Sequence, residues 1–282
     1  MTTIDRSHDL SQPLDKLSPD ERMKDKSDYL RGTIADGLLD RITGAVPSAD
    51  DVKLMKFHGI YQQDDRDLRD ERRRQKLEPA FQFMIRVRLP GGVCAPAQWL
   101  MLDELARAHG GETLRITTRQ TFQFHWVLKD SLRPIIQGLH ETLLDTVAAC
   151  GDDSRGVMCT VDPQSSRFHA EVAAMAKRVS DHVIPKTRAY HEIWYGDARV
   201  AASGPEEPFY GPTYMPRKFK IGFALPPSND IDVYAQDLGF IAIGGPDGLA
   251  GFNVVIGGGM GRADQAAGAY PRLASLVGFV PA

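Results

Sequence analysis

The residues from Leu114 to His125 alternate between apolar and polar side chains, a pattern that restricts the local fold more than any other stretch. Successive side chains of a strand point to opposite faces, so the alternation predicts a β-strand with one buried and one polar face. That polar face contains no Asp or Glu, so an anion lying on it would meet only hydrogen-bond donors. A solvated outer sheet face shows the same pattern, and both interpretations stay open. The polar positions are Arg115, Thr117, Arg119, Thr121, Gln123 and His125, and the apolar positions include Leu114, Ile116, Phe122 and Phe124.

Composition excludes several classes of protein. With 282 residues and 42% hydrophobic side chains, the chain can bury a sizeable core and is long enough for about two domains. Its 34 basic and 37 acidic residues are interleaved over most of the chain, which argues against nucleic-acid or membrane-surface binding. No apolar run approaches the ~20 residues of a membrane span, and the first residues lack a signal-peptide core. We therefore expect a cytoplasmic protein.

The cysteines and histidines give no metal-binding pattern. Cys94, Cys150 and Cys159 are widely spaced and form no C-x-x-C, which argues against a disulfide framework or a structural zinc site. Three thiols are also fewer than the four that hold an iron–sulfur cluster. His125 ends the donor-lined stretch, whereas the other histidines lack metal-ligand spacing. No metal ligand is predicted in this chain.

The first half of the chain predicts a small α+β sandwich. Ser18 begins a capping box whose helix could run to Gly32. Strand alternation follows over Phe83–Arg88, helical spacing over Pro96–His109, and a second apolar helix face over Leu132–Val147. If helices cover one face of this sheet, the other face brings four cations together and favours an anion site. These four are Arg86, Arg88, Arg115 and Arg119.

The second half predicts a further mixed domain. A helix is expected over Ser166–His182, and strands over Tyr190–Tyr195, Arg217–Phe223, Ile231–Tyr234, Phe240–Ile243 and Phe252–Ile256. Within these, Lys218 and Lys220 are two residues apart and should share one strand face. The Gly-rich run from Gly257 to Gly261 lacks the spacing of a dinucleotide fingerprint, because Arg262 stands where the third glycine would be. The mixed-charge run from Gln62 to Lys76 is typical of a solvated helix or arm.

Several short runs resemble one known family in the same order along the chain. The runs are Lys56-Phe57-His58-Gly59, Tyr61-Gln62-Gln63-Asp64-Asp65-Arg66-Asp67, Gln75-Lys76-Leu77-Glu78-Pro79, Arg88-Leu89-Pro90-Gly91-Gly92, Thr118 to His125, Pro216-Arg217-Lys218-Phe219-Lys220 and Gly251-Phe252-Asn253. They resemble the assimilatory sulfite reductase hemoproteins, the β subunits of the NADPH-dependent enzyme within the siroheme sulfite and nitrite reductases. The similarity extends from about Ser18 to the last residue.

The resemblance implies an activity and its cofactors. The family reduces sulfite to sulfide with six electrons at a siroheme, whose iron is linked through a cysteine thiolate to a [4Fe–4S] cluster, and takes electrons from a flavoprotein α subunit. Siroheme carries eight carboxylates, which would explain a polar face without acids. Family positions that hold the macrocycle match Arg115, Thr117, Arg119, Gln123 and His125. Positions around the sulfite match Arg86, Arg155, Lys218 and Lys220.

The resemblance also implies a fold and a missing part. We expect an α+β chain with an N-terminal arm over residues 1–79, a ferredoxin-like half-domain over 80–148 and a siroheme-binding domain over 160–282. The cluster cysteines of the family lie in its second half, so this chain resembles an N-terminal half that is inactive alone. Three alternatives stay open: a ferredoxin-dependent sulfite reductase, a siroheme nitrite reductase, or a non-catalytic half that serves as a binding module.

Overall fold

A computed structural model describes residues 13–187, 189, 206–261 and 270–282 and shows an α+β chain built on two sheets. Its α-helices are α1 (Pro19–Asp25), α2 (Ile34–Leu39), α3 (Ala49–Leu54), α4 (Arg69–Arg74), α5 (Pro96–His109), α6 (Leu132–Glu141) and α7 (Arg167–Val183). Short 3-10 helices lie at Leu14–Lys16, Met55–His58, Pro90–Gly92, Lys129–Ser131 and Val233–Ala235. No helix in the described ranges is long and apolar enough to cross a membrane.

The strands form a four-stranded antiparallel sheet and a five-stranded mixed sheet. The first has the order β1-β2-β4-β3, with β1 (Ile60–Asp64), β2 (Phe81–Arg86), β3 (Leu114–Ile116) and β4 (Phe122–Val127). The second runs in sequence order, with β5 (Met158–Cys159), β6 (Ile221–Ala224), β7 (Leu238–Gly245), β8 (Gly248–Ile256) and β9 (Ser275–Pro281). Strands β5, β6 and β7 are parallel, whereas β8 and β9 are antiparallel to their neighbours.

The stretch that opened the sequence analysis is a hairpin rather than one strand. β3 ends at Ile116, and the Thr117 amide donates to the Thr121 carbonyl across a turn in which Gln120 has φ +54°. Arg119 therefore lies in the turn, not on a strand face. Phe124 is fully buried as predicted, but Ile116 is 80% exposed, because it ends a three-residue edge strand that the core does not cover.

Helix limits agree with the sequence where caps are explicit. α5 has the predicted bounds, and α1 begins with the predicted capping box, in which Ser18 and Glu21 bond each other's backbone amides. α1 ends at Asp25, however, because three successive residues, from Asp28 to Leu30, adopt positive φ and cannot continue a helix. α6 ends at Glu141 rather than Val147, which leaves Leu143 91% exposed.

α5 and α6 cover one face of the first sheet and form the first core. Phe83, Ile85 and Phe124 from the strands are fully buried together with Leu102 and Ile135 from the helices. β1 belongs to this sheet, since Ile60 lies opposite Ile85, so the sheet begins inside the segment predicted as an arm. The exposed α4 is the solvated helix expected within the mixed-charge run.

α7 packs on the second sheet, whose core is aromatic. The Phe223 ring stacks on Phe240 with 4.5 Å between centroids and meets Phe252 edge-on at 5.3 Å. Helix α7 and strands β7 and β8 confirm three predictions. The strand predicted at Ile231–Tyr234 is wrong, because a 3-10 turn begins there, and β9 was not predicted. The predicted strand at Tyr190–Tyr195 lies outside the described residues.

Candidate functional site

Three polar side chains lie side by side across the first sheet. In the strand register, Gln123 on β4 lies opposite Arg86 on β2 and opposite Arg115 on β3. Residues in register on neighbouring strands share a face, so this row crosses the sheet on the side away from the helices. The expectation of a cationic sheet face is met by Arg86 and Arg115.

Hydrogen bonds fix the orientation of Arg86. With its amide oriented to match its neighbours, Gln123 accepts from Arg86 Nε at 2.9 Å and donates to His125 Nε2 at 3.1 Å. The other end of the guanidinium donates from Nη1 to Cys150 Sγ at 3.0 Å. Burial, followed by the charges of Arg115 and Arg86, lowers the pKa of His125, so this histidine is neutral at pH 7 and accepts at Nε2.

Arg119 joins the two sheets. Its Nη1 donates to Gln236 Oε1 at 2.9 Å, and its Nη2 donates to the carbonyls of Gly156 at 2.7 Å and Ile221 at 3.2 Å. Its Nε is buried and has no hydrogen-bond partner in the described structure. Burial and the neighbouring Arg155 lower the pKa of Arg119 to about 10, which leaves it charged at pH 7. A buried donor without an acceptor is a site at which an anion would be stabilised.

A cavity of about 180 Å³ opens beside these residues. We call it the arginine cavity, because Arg86, Arg119 and Arg155 line it together with Thr117, Thr118, Thr121 and apolar or backbone surface. No carboxylate of the described residues contributes to its lining. Arg155 is fixed there by a hydrogen bond from Nε to the Ala149 carbonyl at 2.9 Å. The arginine cavity therefore presents fixed hydrogen-bond donors and no carboxylate, an environment that suits an anion.

A second cavity of about 210 Å³ lies on the other side of Arg155. We call it the lysine cavity. Its cations are Lys53, Lys56, Arg155, Arg217 and Lys218, its acids are Asp20 and Asp152, and Met23, Phe57, Tyr61 and Gly151 complete it.

Lys218 and Lys220 precede β6 rather than lying on it as predicted. An isolated parallel bridge pairs Phe219 with Ser154, so the backbone is extended there. Lys218 and Lys220 therefore lie on the same face of this short pairing as Arg155. Burial, followed by the charges of Arg217, Arg155 and Lys220, lowers the pKa of Lys218. Lys218 lines the lysine cavity, whereas Lys220 lies beside Lys218 without lining it.

Arg88 is not part of the site, and its predicted place on the cationic face is wrong. The chain leaves β2 after Arg86, and a bridge between Arg88 and Asp145 turns its side chain inward. There the guanidinium donates to the carbonyls of Ala148 and Ser154 and to both oxygens of Ser180. Arg88 is 5% exposed and ties the first sheet to α7.

Arg115 and His125 line a third, outer cleft of about 480 Å³. Asp64, Asp65 and Asp67 also line this cleft, so the acid-free environment does not extend to this end of the row. Of the four arginines expected in one patch, two line the arginine cavity, one lines the outer cleft and one is interior. The expectation of a single patch is wrong.

Two residues of the site were not predicted. Cys150 accepts from Arg86 although the two are 64 residues apart, and Tyr61 hydrogen-bonds Cys150. Burial, then the proximity of Cys150, raises the pKa of Tyr61 to about 12. Tyr61 begins one of the runs that resemble the family, but no site role was assigned to it, and Cys150 stands in no such run. Their proximity results from the pairing of β1 with β2 and from the loop after α6.

The cysteines form no metal centre within the part of the chain that the structure describes. Cys150 and Cys159 are buried, Cys94 is partly buried, and all three are free thiols. No group of three or more His, Cys, Asp or Glu side chains comes together there as ligands.

Two family models match this sequence. Residues 74–142 match the nitrite/sulfite reductase ferredoxin-like half domain, and residues 174–282 match the nitrite and sulphite reductase 4Fe-4S domain.

Several curated relatives are sulfite reductase hemoproteins. The chain is 74% identical over 277 residues to the sulfite reductase [NADPH] hemoprotein beta-component of Nitrosomonas eutropha, covering 98% of this chain and 48% of that protein. The protein of the same name from Methylocella silvestris is 69% identical over the same shares, and that from Oceanobacillus iheyensis is 58% identical over 95% of this chain and 46% of its own. The chain thus spans about half the length of these relatives.

Solved structures share the fold. The NirA protein of Mycobacterium tuberculosis superimposes with a TM-score of 0.67 at 21% identity, covering 95% of this chain and 44% of that one. Dissimilatory sulfite reductase I gives a TM-score of 0.54 at 10% identity, covering 96% and 78%.

Proposed function

The chain belongs to the nitrite and sulfite reductase family, and from this premise we propose that it is the N-terminal half of a sulfite-reducing hemoprotein. In the completed protein, sulfite is reduced to sulfide with six electrons at a siroheme that is coupled to a [4Fe–4S] cluster. The chain contributes the cationic wall that binds the carboxylates of the macrocycle and the oxygens of the anion. The names of the relatives support sulfite as the substrate.

The arginine cavity is the observation that carries this proposal. It combines three fixed guanidinium groups with a carboxylate-free lining, and the buried Nε of Arg119 lacks a partner in the described structure. Its volume, about 180 Å³, is smaller than the roughly 300–1,000 Å³ of pockets that enclose a drug-sized ligand. The cavity therefore takes one carboxylate-bearing edge of a larger group, or a small oxyanion, and not a whole tetrapyrrole.

The donor set suits siroheme and does not suit the cluster. The exposed guanidinium of Arg115 can bind a carboxylate through two parallel hydrogen bonds, and the Nε of Arg119 can donate one more, which matches a macrocycle with many carboxylates. We propose that Arg115, Thr117, Arg119, Gln123 and His125 hold siroheme. A [4Fe–4S] cluster needs four thiolates, whereas the chain has three separate cysteines. We propose that the cluster ligands come from a C-terminal half.

When bound, siroheme supplies the redox-active iron at which sulfite is reduced. Loss of each oxygen as water consumes protons, so the residues of this chain must attract the anion and deliver protons to it. Arg86 and Arg155, held by Gln123, Cys150 and the Ala149 carbonyl, provide fixed positive charge. Lys218 and Lys220 are the proposed proton donors, because burial beside other cations lowers the pKa of Lys218 while the arginines stay charged.

The finer assignments are part of the same proposal. We propose an arm over residues 1–79, a ferredoxin-like half-domain over 80–148 and a siroheme-binding domain over 160–282, and the two family matches support the order of these units. The names of the relatives include NADPH, which supports a flavoprotein α subunit as the electron donor. A cytoplasmic location remains a prediction.

Co-expression of this chain with the C-terminal half of a relative tests the function. We expect a coloured complex that reduces sulfite to sulfide with a chemical electron donor, while the chain alone is inactive and contains no acid-labile sulfide. Faster turnover of nitrite than of sulfite would instead support the nitrite reductase alternative. A complex that assembles without colour would indicate a non-catalytic binding module.

A further inference from the structure

Two polar residues, Gln236 and Asp237, lie between the 3-10 helix at Val233–Ala235 and the start of β7. Gln236 is 5% exposed, and both ends of its amide are used. Its Oε1 accepts from Arg119 Nη1 at 2.9 Å, and its Nε2 donates to the Ile231 carbonyl at 2.8 Å. The donated bond fixes the orientation of the amide, because a flipped amide would place two donors against each other. Gln236 therefore presents an oxygen to Arg119.

The guanidinium of Arg119 is held at both of its terminal nitrogens. Gln236 accepts from Nη1, and the carbonyls of Gly156 and Ile221 accept from Nη2. Of the three guanidinium nitrogens, only the buried Nε has no partner in the described structure. Because the fork is planar and rigid, holding its two ends fixes the direction in which the Nε–H points. Loss of the Gln236 acceptor would leave Nη1 unpaired and release one end of the fork.

Asp237 holds the backbone of Lys220. Its Oδ2 accepts from the Lys220 backbone amide at 2.8 Å, and the Leu238 amide donates to the Lys220 carbonyl at 3.1 Å. Both backbone groups of Lys220 are thus bonded by consecutive residues, immediately before β6 begins at Ile221. The segment that orients Arg119 therefore also fixes the chain at Lys220.

The glycine-rich run that follows β8 holds this segment in place. The Gly258 amide donates to the Gln236 carbonyl at 3.0 Å. The Gly257 amide donates to the Asp237 carbonyl, also at 3.0 Å. A Cβ at Gly258 would collide with the Gln236 carbonyl oxygen, whereas a Cβ at Gly259 would meet nothing within 4 Å. Glycine is needed at 258 because two backbone segments approach closely there.

We propose that Gln236 and Asp237 are positioning residues. Gln236 orients Arg119 so that its Nε meets a carboxylate of the macrocycle, and Asp237 fixes the backbone that carries Lys220. Neither residue lines the arginine cavity, the lysine cavity or the outer cleft, so each acts through the residue that it holds. The macrocycle as the ligand and the lysine as a proton donor rest on the proposed function, whereas the two orientations do not.

A double-mutant cycle on siroheme binding tests the role of Gln236. Gln236→Met keeps a long unbranched side chain but removes the acceptor for Arg119. Siroheme affinity, measured by titration of the chain and visible absorbance, should fall about fivefold, the effect of one hydrogen bond. In an Arg119→Ala background the same substitution should change the affinity by less than about twofold, because the residue that it orients is absent. Equal effects in both backgrounds would overturn the proposal.

Urea denaturation of the same four chains separates this proposal from the proposed function. The two substitutions should be non-additive in the free energy of unfolding, because they break the same hydrogen bond. Non-additive unfolding in chains that bind no siroheme would overturn the proposed function, and siroheme as the ligand, while the orientation of Arg119 by Gln236 would stand. Siroheme binding with additive effects would overturn the role of Gln236 and leave the proposed function intact.

Asp237 is tested in the completed enzyme with a rescue variant. Asp237→Ala removes the acceptor for the Lys220 backbone amide, whereas Asp237→Asn keeps an oxygen that can accept. We expect kcat for sulfite to fall about fivefold in Asp237→Ala and to recover in Asp237→Asn, with the same siroheme absorbance per chain in both. Wild-type kcat in Asp237→Ala, or no recovery in Asp237→Asn, would contradict this role.

The glycine-rich run offers a matched pair of variants that tests the whole segment. Gly258→Ala displaces the backbone of Gln236 and should lower both siroheme affinity and kcat at least about fivefold. Gly259→Ala adds the same methyl group where it meets nothing, and should change neither. If Gly258→Ala matched Gly259→Ala in both measurements, the segment would not position Arg119 or Lys220.

Discussion

The arginine cavity and the lysine cavity share Arg155 but hold their cations differently. In the first, Arg86, Arg119 and Arg155 are fixed by protein acceptors before any ligand arrives. In the second, Lys56 and Lys218 have no carboxylate partner in the described structure, and the two acids present are paired with Lys53 and Lys24. The first arrangement suits tight binding of a rigid group, and the second suits an anion that enters and leaves.

The two kinds of cation also suit different roles, because arginines can bind anions and lysines can in addition transfer protons. A guanidinium keeps its charge and presents a planar fork, so fixed arginines recognise carboxylates but do not give up protons. An ammonium group that is partly buried among cations releases its proton more easily. Substitutions on the two sides of Arg155 should therefore have different effects, and the predictions below are arranged from the largest to the smallest.

The largest effect on stability is expected at Arg88, which lies two residues after Arg86. Arg88→Leu removes a buried charge from four acceptors and from Asp153, a fully buried carboxyl group. The free energy of unfolding should fall by about 3–5 kcal/mol, measured by urea denaturation. Arg86→Leu, the matched control, should cost markedly less. Equal losses would show that Arg86 is structural too.

In the completed enzyme, Lys218→Met should lower turnover about 10- to 1,000-fold, which corresponds to about 1.4–4 kcal/mol of transition-state stabilisation. Siroheme and cluster spectra should be retained, and Lys220→Met should act in the same direction. Arg86→Ala should instead raise the KM for sulfite more than it lowers kcat. Wild-type turnover by both lysine variants from pH 6 to 9 would refute their role as proton donors.

Arg119 and Arg115 allow a comparison within the proposed macrocycle-binding set. Arg119→Ala breaks hydrogen bonds to Gln236, Gly156 and Ile221, so unfolding free energy should fall by about 1.5–3 kcal/mol. Arg115→Ala, at an exposed position, should stay within about 0.5 kcal/mol of wild type. Both should reduce siroheme occupancy in the completed enzyme, which is measured from visible absorbance per chain. Full occupancy in both variants would leave Arg119 as an inter-sheet bridge and Arg115 as a surface residue.

Sequence patterns predicted the helices and strands better than they predicted which segments pack against them. α5 has the predicted limits because Pro96 and Gly110 mark its ends, and Phe83 and Ile85 are buried as the alternation requires. The same alternation misplaced Arg88, because it assigns a face and does not show where a strand stops or what covers it.

Contacts between distant segments could not be predicted from local patterns. Arg119 reaches Gln236 across 117 residues, and Arg86 reaches Cys150 across 64. The lysine cavity likewise combines Lys56 with Arg217 through tertiary packing alone. Most of the predicted site residues line three cavities, two of which share Arg155, whereas Gln123 and Lys220 line none of these three.

The smallest effect is a pH dependence of anion binding in the lysine cavity. The pKa of Lys218 lies below its ordinary value of 10.5, and a bound anion favours the charged ammonium and so raises this pKa. Anion affinity should therefore be full below the pKa of Lys218 and fall as the pH rises through it, before 10.5 is reached. In Lys218→Met this fall should weaken, as measured from the KM for sulfite in the completed enzyme across pH. A wild-type profile in the variant would assign the titration to another group.

Titration of the chain with siroheme, followed by visible absorbance, tests most directly whether Arg115 and Arg119 bind the carboxylates of the macrocycle. We expect saturable binding that weakens at high salt, because charged hydrogen bonds between guanidinium and carboxylate groups carry it. Arg115→Ala combined with Arg119→Ala should reduce the affinity at least about tenfold, while Arg107→Ala, on the exposed surface of α5, should not. Equal affinity in the double variant and the wild type, or no binding by a folded wild-type chain, would contradict this assignment.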